Sequence, residues 1–419
     1  MSPAASRPPG SLLGLAAITR MAFDGADLSV LGARLLERIE ADPGDAAALL
    51  DLSTVLMAKD RQVALATQAE ALQLQQLYHL PAPRTAPGAT PLRLLAVMAP
   101  GDLVANTPIE FLLEHSDVAL DLLFVGDDIP LPESVPDHDV LFVGLGESDA
   151  SRAQLERLVP LLASWPRPVL NRPEHILSMS RMAACTLLRD TPGVEMPLSV
   201  RLPRQTLERV AREELPITEV LADGVYPIIV RPADSHMGRG LVRLDSPLAI
   251  ARHLRATTDR EYYVSRYVEY RDADGEYRKY RVALVDGQPL AVHLAVCQDW
   301  VVHYQRAGMA ESADKRAEER RFMERFDDEF GRRHAAALHA IHERCGLDYL
   351  GIDCAEAPDG RLLVFEVDNA MLVHAMDPAD LYPYKRPQMR KLFDAFRGLL
   401  ARAAALHGPV EFAVEARAS

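Results

Sequence analysis

Two apolar runs near the C-terminal end of the chain, residues 347–354 and 362–367, flank the tripeptide Pro358-Asp359-Gly360. This pattern admits little except a β-hairpin, because Pro, Asp and Gly supply the turn and the flanks supply strands. With residues 357–360 as the turn, Asp353 lies opposite Val364. Strand side chains alternate, so Asp353, Val364, Glu366 and Asp368 are expected on one face. Three carboxylates on one face of an apolar hairpin repel one another. A hard cation relieves this, and oxygen ligands suit Mg²⁺. The other reading is the solvated face of an edge hairpin.

The chain has 419 residues, room for two or three domains with real cores. Its net charge of −14 argues against a nucleic-acid partner, although arginines cluster locally. Cys185, Cys297, Cys345 and Cys354 show no CxxC or Cys/His ligand spacing. They are expected to be reduced core residues, which suits a cytoplasmic protein. No apolar run reaches the length of a membrane span, and the N-terminus lacks a secretory signature. No membrane association is expected.

Residues 1–22, with Pro3, Pro8, Pro9 and Gly10, read as a loose leader. From residue 27 to 78 the apolar spacing is helical: Leu31, Leu35, Leu36 and Ile39 form one stripe. Pro43 and Gly44 break it, and Asp45 is placed to cap the next helix. The spacing of Pro43, Ala47, Leu50, Leu52 and Ala64 resembles one tetratricopeptide unit. Such a unit cannot bury its faces alone. It is either a docking or homodimerisation module or a helical cap on the main body. The helical extension thus covers 1–80, and a Pro-rich linker covers 81–91. Beyond it strands alternate with helices over 92–175, the pattern of an α/β domain with a mostly parallel sheet. Residues 176–410 read as a second body rich in long strands and closed by a helix.

Three segments of that body carry basic chemistry. Residues 226–242 read as strand, small loop and returning strand, with Arg231 at the strand end and Ser235, His236, Gly238, Arg239 and Gly240 in the loop. Glycines let backbone N–H groups approach phosphates, and the basic side chains counter their charge. A plain hairpin turn is the competing reading. Residues 262–269 read as a strand running into a linker at Arg266, Tyr267 and Val268. Residues 272–287 form another hairpin, with Lys279 and Arg281 on one face. A planar guanidinium there can hold a phosphoryl group or a carboxylate bidentately. His293 is read as structural, and His303 stays open as a substrate contact.

In chain order, a basic strand end with a glycine-rich loop, a linker strand, a basic strand, and then Asp353 with Glu366-x-Asp368 resemble the ATP-grasp ligases, particularly the RimK and glutathione-synthetase type. The likeness covers roughly residues 92–400. It implies an α/β ATP-grasp fold: a preceding α/β domain, a lid lobe at about 181–268 and a metal-binding lobe at about 269–405. It also implies an ATP-dependent carboxylate–amine ligase working through an acyl phosphate on an amino acid or small peptide. ATP would meet Arg181, Arg231, Ser235, His236, Gly238, Arg239, Gly240, Arg266, Tyr267, Val268 and Lys279. Arg281 and Arg231 would act on the transferred phosphate. Asp353, Glu366 and Asp368, with Asn369 as the alternative to Asp368, would hold two Mg²⁺ ions, or Mn²⁺. Three positions depart from the pattern: Arg231 stands for a usual lysine, Arg266 for a glutamate, and Asp368 for an asparagine. Ligands bind off the carboxyl ends of parallel strands, which makes Asp102 and Asn106 substrate candidates, and His374 follows the hairpin closely. A phosphotransferase and a non-catalytic scaffold built on residues 27–78 remain the alternatives.

Overall fold

The computed structural model describes residues 11–85, 88–129, 131–233 and 238–406. The chain divides into two units. The first takes the residues up to 177 together with 369–377 and those from 390 onward; the second takes 178–368 and 378–389.

The first unit opens with four helices: α1 (Leu15–Phe23), α2 (Leu28–Ala41), α3 (Ala46–Leu56) and α4 (Arg61–Leu74). Asp27, Asp45 and Asp60 cap the last three, each carboxylate accepting a first-turn backbone N–H. The cap expected at Asp45 is therefore present. Helix α1 falls where a loose leader is expected. Its start is made by distant partners. Asp51 accepts from the N–H groups of Leu13 and Gly14 at 2.8 and 3.0 Å, and Glu110 accepts from that of Ala16 at 3.0 Å. Ile18 then packs with Leu35, Ala48, Leu52 and Val55. Local preference is a weak prior, and tertiary contacts of this kind override it.

Five strands follow: β1 (Leu77–Leu80), β2 (Leu92–Met98), β3 (Val118–Phe124), β4 (Val140–Val143) and β5 (Val169–Leu170). Their order is β1-β3-β2-β4-β5. All pair in parallel except β1, which runs antiparallel along β3. The mixed α/β class is thus observed. Strand β1 departs from the expectation that the helical extension runs to residue 80. The open edge of β3 offers it a ladder of hydrogen bonds, which local propensity does not report.

Among the described residues the second unit holds nine strands: β6 (Val194–Glu195), β7 (Ser199–Pro203), β8 (Ile228–Pro232), β9 (Val242–Leu244), β10 (Glu261–Arg266), β11 (Tyr277–Val285), β12 (Gln288–Cys297), β13 (Tyr349–Glu356) and β14 (Leu362–Asp368). One sheet has the order β7-β10-β8-β9 and the other β12-β11-β13-β14-β6. Helices Arg204–Ala211 and Pro247–Ala256 lay Leu207, Val210, Ile250 and Leu254 on Ile228, Val230, Tyr262 and Val264 of the first sheet. Among the described residues no helix is long and apolar enough to cross a membrane.

The expected unbroken body at 176–410 is interrupted. Residues 369–377 and the helix portion from 390 belong with the first unit. Asn369 Nδ2 donates to the Leu145 carbonyl at 2.8 Å, and Thr107 Oγ1 donates to the Asn369 carbonyl at 2.8 Å. A Cβ on Gly146 would lie 2.8 Å from that of Ala370, so only glycine permits this approach. Phe396 packs edge-on against Phe142, and Arg397 pairs with Asp117 at 2.7 Å.

Candidate active site

The hairpin of β13 and β14 forms, but its register differs from the simple turn count. The loop is one residue longer than expected, so Cys354 pairs with Val364 rather than Leu363. Carried on, that register would set Asp353 opposite Phe365. A bulge at Phe365 shifts the ladder once more, and Asp353 pairs with Glu366 while Gly351 pairs with Asp368. The two one-residue offsets cancel in parity. Asp353, Glu366 and Asp368 share a face, and Val364 lies buried on the other.

A second bulge does the same on β12. Between Arg281 and Val282 the register shifts, so Arg281 faces His293 instead of Val292. The result is a straight row across four strands: His293 on β12, Arg281 on β11, Asp353 on β13 and Glu366 on β14. Lys279, two residues before Arg281, stands on the same face.

Asp353 is the centre of this row, with its side chain only 2% exposed. Arg281 grips it as a fork, Nε to Oδ1 at 2.7 Å and Nη2 to Oδ2 at 3.0 Å. Lys279 Nζ adds a third contact, 2.6 Å from Oδ2. Burial alone would raise the Asp353 pKa, but Arg281 and Lys279 overcome it and hold the carboxyl well below the usual range. Glu366 is partly exposed and accepts from Arg181 Nη2 at 2.9 Å. Arg231, opposite Tyr263 in the β8–β10 ladder, feels both groups. Burial, then the Arg181 charge, brings its pKa down to about 10, against the pull of Glu366. Arg181, Lys279 and Arg281 thus pair with Asp353 and Glu366, and Arg231 lies within the field of Arg181 and Glu366.

Strands β8 and β9 pair antiparallel, from Ile228 with Leu244 to Val230 with Val242. Ser235 and His236 lie outside the described residues. Gly238 and Gly240 both have positive φ, 71° and 70°. A Cβ on Gly240 would also lie 2.8 Å from Pro232 Cδ, so this turn requires glycine. Arg239 is exposed between them.

In the linker, the Tyr267 N–H is taken by the Pro227 carbonyl at 2.9 Å, and its ring lies between Arg243 and Trp300. Beside it a cleft of about 290 Å³ is lined by Arg243, Arg271, Tyr277, Gln298, Asp299 and Trp300. Val268 packs in the aromatic cluster of Tyr270, Tyr277 and Phe365. Arg266 is committed elsewhere: it pairs with Glu195 and with Asp223, the latter at 3.0 Å. Two carboxylates fix its guanidinium as an internal tie, which its place in the motif does not foretell.

His303 is half-buried near Lys279, Arg306 and Arg281. Burial and these cations lower its pKa, and its Nδ1 has no hydrogen-bond partner among the described residues. His293 is pushed further down by burial and by Arg281. In the first unit, Asp102 pairs with Arg61 at 3.0 Å. Asn106 spends its amide on Ala99, accepting from its N–H at 2.7 Å and donating to its carbonyl at 2.8 Å. His374 Nδ1 accepts from the Met376 N–H at 3.2 Å. Asn369 is fully buried on Leu145.

One cluster escapes sequence reading. Glu319 is fully buried and accepts from Tyr384 at 2.6 Å and Tyr304 at 3.1 Å, with Lys385 Nζ at 3.3 Å. Tyr304 in turn stacks near His293, ring centroids 4.6 Å apart. The available signal was a glutamate three and four residues before Phe322 and Met323, on the apolar stripe of a charged helix.

The acidic face does not fit a metal ion as it is arranged. Both oxygens of Asp353 are engaged by basic side chains, one oxygen of Glu366 is engaged by Arg181, and Asn369 is turned to Leu145. Among the described residues no group of three or more His, Cys, Asp or Glu is placed to hold a cation.

No family profile matches the sequence, and no curated protein matches it. Among solved structures, the chain is similar to D-alanine–D-alanine ligase from Bacillus anthracis complexed with ATP, at 15% identity, covering 76% of this chain and 100% of that one, with a TM-score of 0.43. It is also similar to a RimK domain ATP-grasp protein from Sphaerobacter thermophilus (16%, 74% and 99%, 0.40) and to VanG D-Ala:D-Ser ligase from Enterococcus faecalis (13%, 74% and 100%, 0.44). These likenesses are too distant to carry an argument about chemistry, which rests on the residues above.

Proposed function

We propose that this chain is an ATP-dependent carboxylate–amine ligase of the ATP-grasp type. One observation carries the reading: Arg181, Lys279 and Arg281 pair with the carboxylates of Glu366 and Asp353, and Arg231, on the other sheet, feels the charges of Arg181 and Glu366. In the same unit a glycine-dependent turn at Gly238 and Gly240 precedes β9. Such a cluster is suited to a polyphosphate, because guanidinium forks match phosphate oxygens and need no reorganisation when charge develops. The cleft beside Tyr267, lined by Tyr277 and Trp300 among others, is of a size for a nucleobase.

In this reading a substrate carboxylate oxygen attacks the γ-phosphorus of ATP, and the bond to ADP breaks. Arg231 and Arg281 donate hydrogen bonds to the transferred group and hold it in line. An amine nitrogen then attacks the acyl carbon, phosphate leaves, and the nitrogen sheds a proton. Gly238 and Gly240 let the turn close over the phosphates and exclude water, which would otherwise hydrolyse the acyl phosphate. The amine and carboxylate belong to amino acids or small peptides.

The test is ADP release across amino acids and pooled small carboxylates, with mass spectrometry of the products. With an ¹⁸O-labelled carboxylate, label is expected in the released phosphate. ADP formation with a stable phosphorylated product and no release of labelled phosphate would replace the ligase by a kinase. Unchanged turnover in a folded Glu366→Gln variant would move function away from this face.

A further inference from the structure

We propose that Lys279 serves as a built-in counter-cation to Asp353, occupying the place a divalent ion would need. The protein alone then has no metal site on this face and receives a triphosphate with basic side chains instead. The inference rests on the ligase reading for its ligand, and on the geometry of Asp353 for its logic.

Asp353 Oδ2 has Lys279 Nζ at 2.6 Å and Arg281 Nη2 at 3.0 Å, while Oδ1 has Arg281 Nε at 2.7 Å. Mg²⁺ bonds its oxygen ligands at about 2.1 Å and demands near-octahedral space. An ion at either oxygen would sit within a few ångströms of both an ammonium and a guanidinium, with a side chain only 2% exposed leaving no second approach. Like charges this close in a poorly solvated site repel strongly. His293 closes the far end of the row as a neutral ring and adds no negative charge. The two bulges matter here. Without them Arg281 would face Val292 and Asp353 would face Phe365, so they set the two ends of the row, while Arg281 meets Asp353 directly across β11 and β13.

The same cations are well placed for an anion. A phosphate that draws Lys279 or Arg281 off Asp353 frees the carboxylate only in its own presence. A cation can therefore join this face only with the nucleotide, never ahead of it. Lys279 is thereby a positioning residue for Asp353 as well as a hydrogen-bond donor to the phosphate.

The experiment uses the full chain without nucleotide. Mn²⁺ is titrated by electron paramagnetic resonance into wild type, Lys279→Met and Lys279→Met/Asp353→Asn. Wild type is expected to bind no Mn²⁺ at millimolar concentration. Removing the ammonium should tighten Mn²⁺ binding at least about tenfold, and the second change should abolish that gain. Tight Mn²⁺ binding by wild type, or a folded Lys279→Met with no gain, overturns the proposal. Equilibrium dialysis of ATP against wild type, in EDTA and in Mg²⁺, needs no variant. Affinities within about thirtyfold support it, and a larger loss in EDTA overturns it. If ATP binds under neither condition the ligase reading fails, and the Mn²⁺ titration alone decides the role of Lys279.

Discussion

Replacing Arg281 with methionine keeps most of the stem and deletes the fork that holds Asp353. The fork makes two charge-assisted bonds, 2.7 and 3.0 Å long, to a carboxylate with 2% exposure. Bonds of this kind contribute about 1.5–3 kcal/mol each, so the pair is worth about 3–6 kcal/mol. Lys279 remains 2.6 Å from Oδ2 and retains part of that. The expected loss is therefore about 3 kcal/mol, the lower end of what breaking a buried ion pair costs. The pH dependence has a definite sign. The Asp353 pKa is depressed in the folded state. Its contribution is present above the unfolded value near 4 and fades as pH falls below it. Denaturant unfolding of wild type and Arg281→Met should thus differ fully at pH 7 and converge below about pH 4. The pair Arg281→Met/Asp353→Asn should recover most of the loss. A difference under about 1 kcal/mol at pH 7, or one that acid leaves unchanged, would refute the view that this pair supports the fold.

Lys385→Met leaves Glu319 buried without its cation and should cost about 3 kcal/mol by denaturant unfolding. Because burial already raises the Glu319 pKa, that penalty should grow as pH rises above about 4 and largely vanish in Lys385→Met/Glu319→Gln; a pH-independent penalty would count against it. His293 is held neutral, its pKa lowered by burial and Arg281. The unfolded chain takes up that proton below about pH 6.5, so wild type should lose up to about 1.4 kcal/mol per pH unit there. His293→Gln should flatten this segment, and equal slopes would sink the idea. Asn369→Ala strips a 2.8 Å donor from the Leu145 carbonyl and should cost about 1–2 kcal/mol; an unmoved unfolding midpoint would show the bond to be idle.

Much of the site's chemistry was legible in the chain because it depends on residue type and strand parity. The acidic hairpin, the paired Lys279 and Arg281, and the glycines at 238 and 240 all rest on alternation and turn chemistry. What those side chains do to one another was not legible. The Mg²⁺ expectation treated Asp353 as a free ligand, and strand order alone brings β11 beside β13 to give it Arg281 and Lys279. Arg266 was assigned to ATP by its place in the motif, whereas Glu195 and Asp223 reach it from residues far off in the chain.

The amino-acid sequence by itself determined the strand-rich second body, the helical start and the parallel α/β sheet, since periodicity and turn residues act locally. Only the tertiary structure decided the helix at Leu15–Phe23, the strand at Leu77–Leu80, the return of residues 369–377 to the first unit, and the two bulges that align His293, Arg281, Asp353 and Glu366. Each depends on a partner distant in sequence, and a buried charge or an open sheet edge exerts its force only once that partner is near.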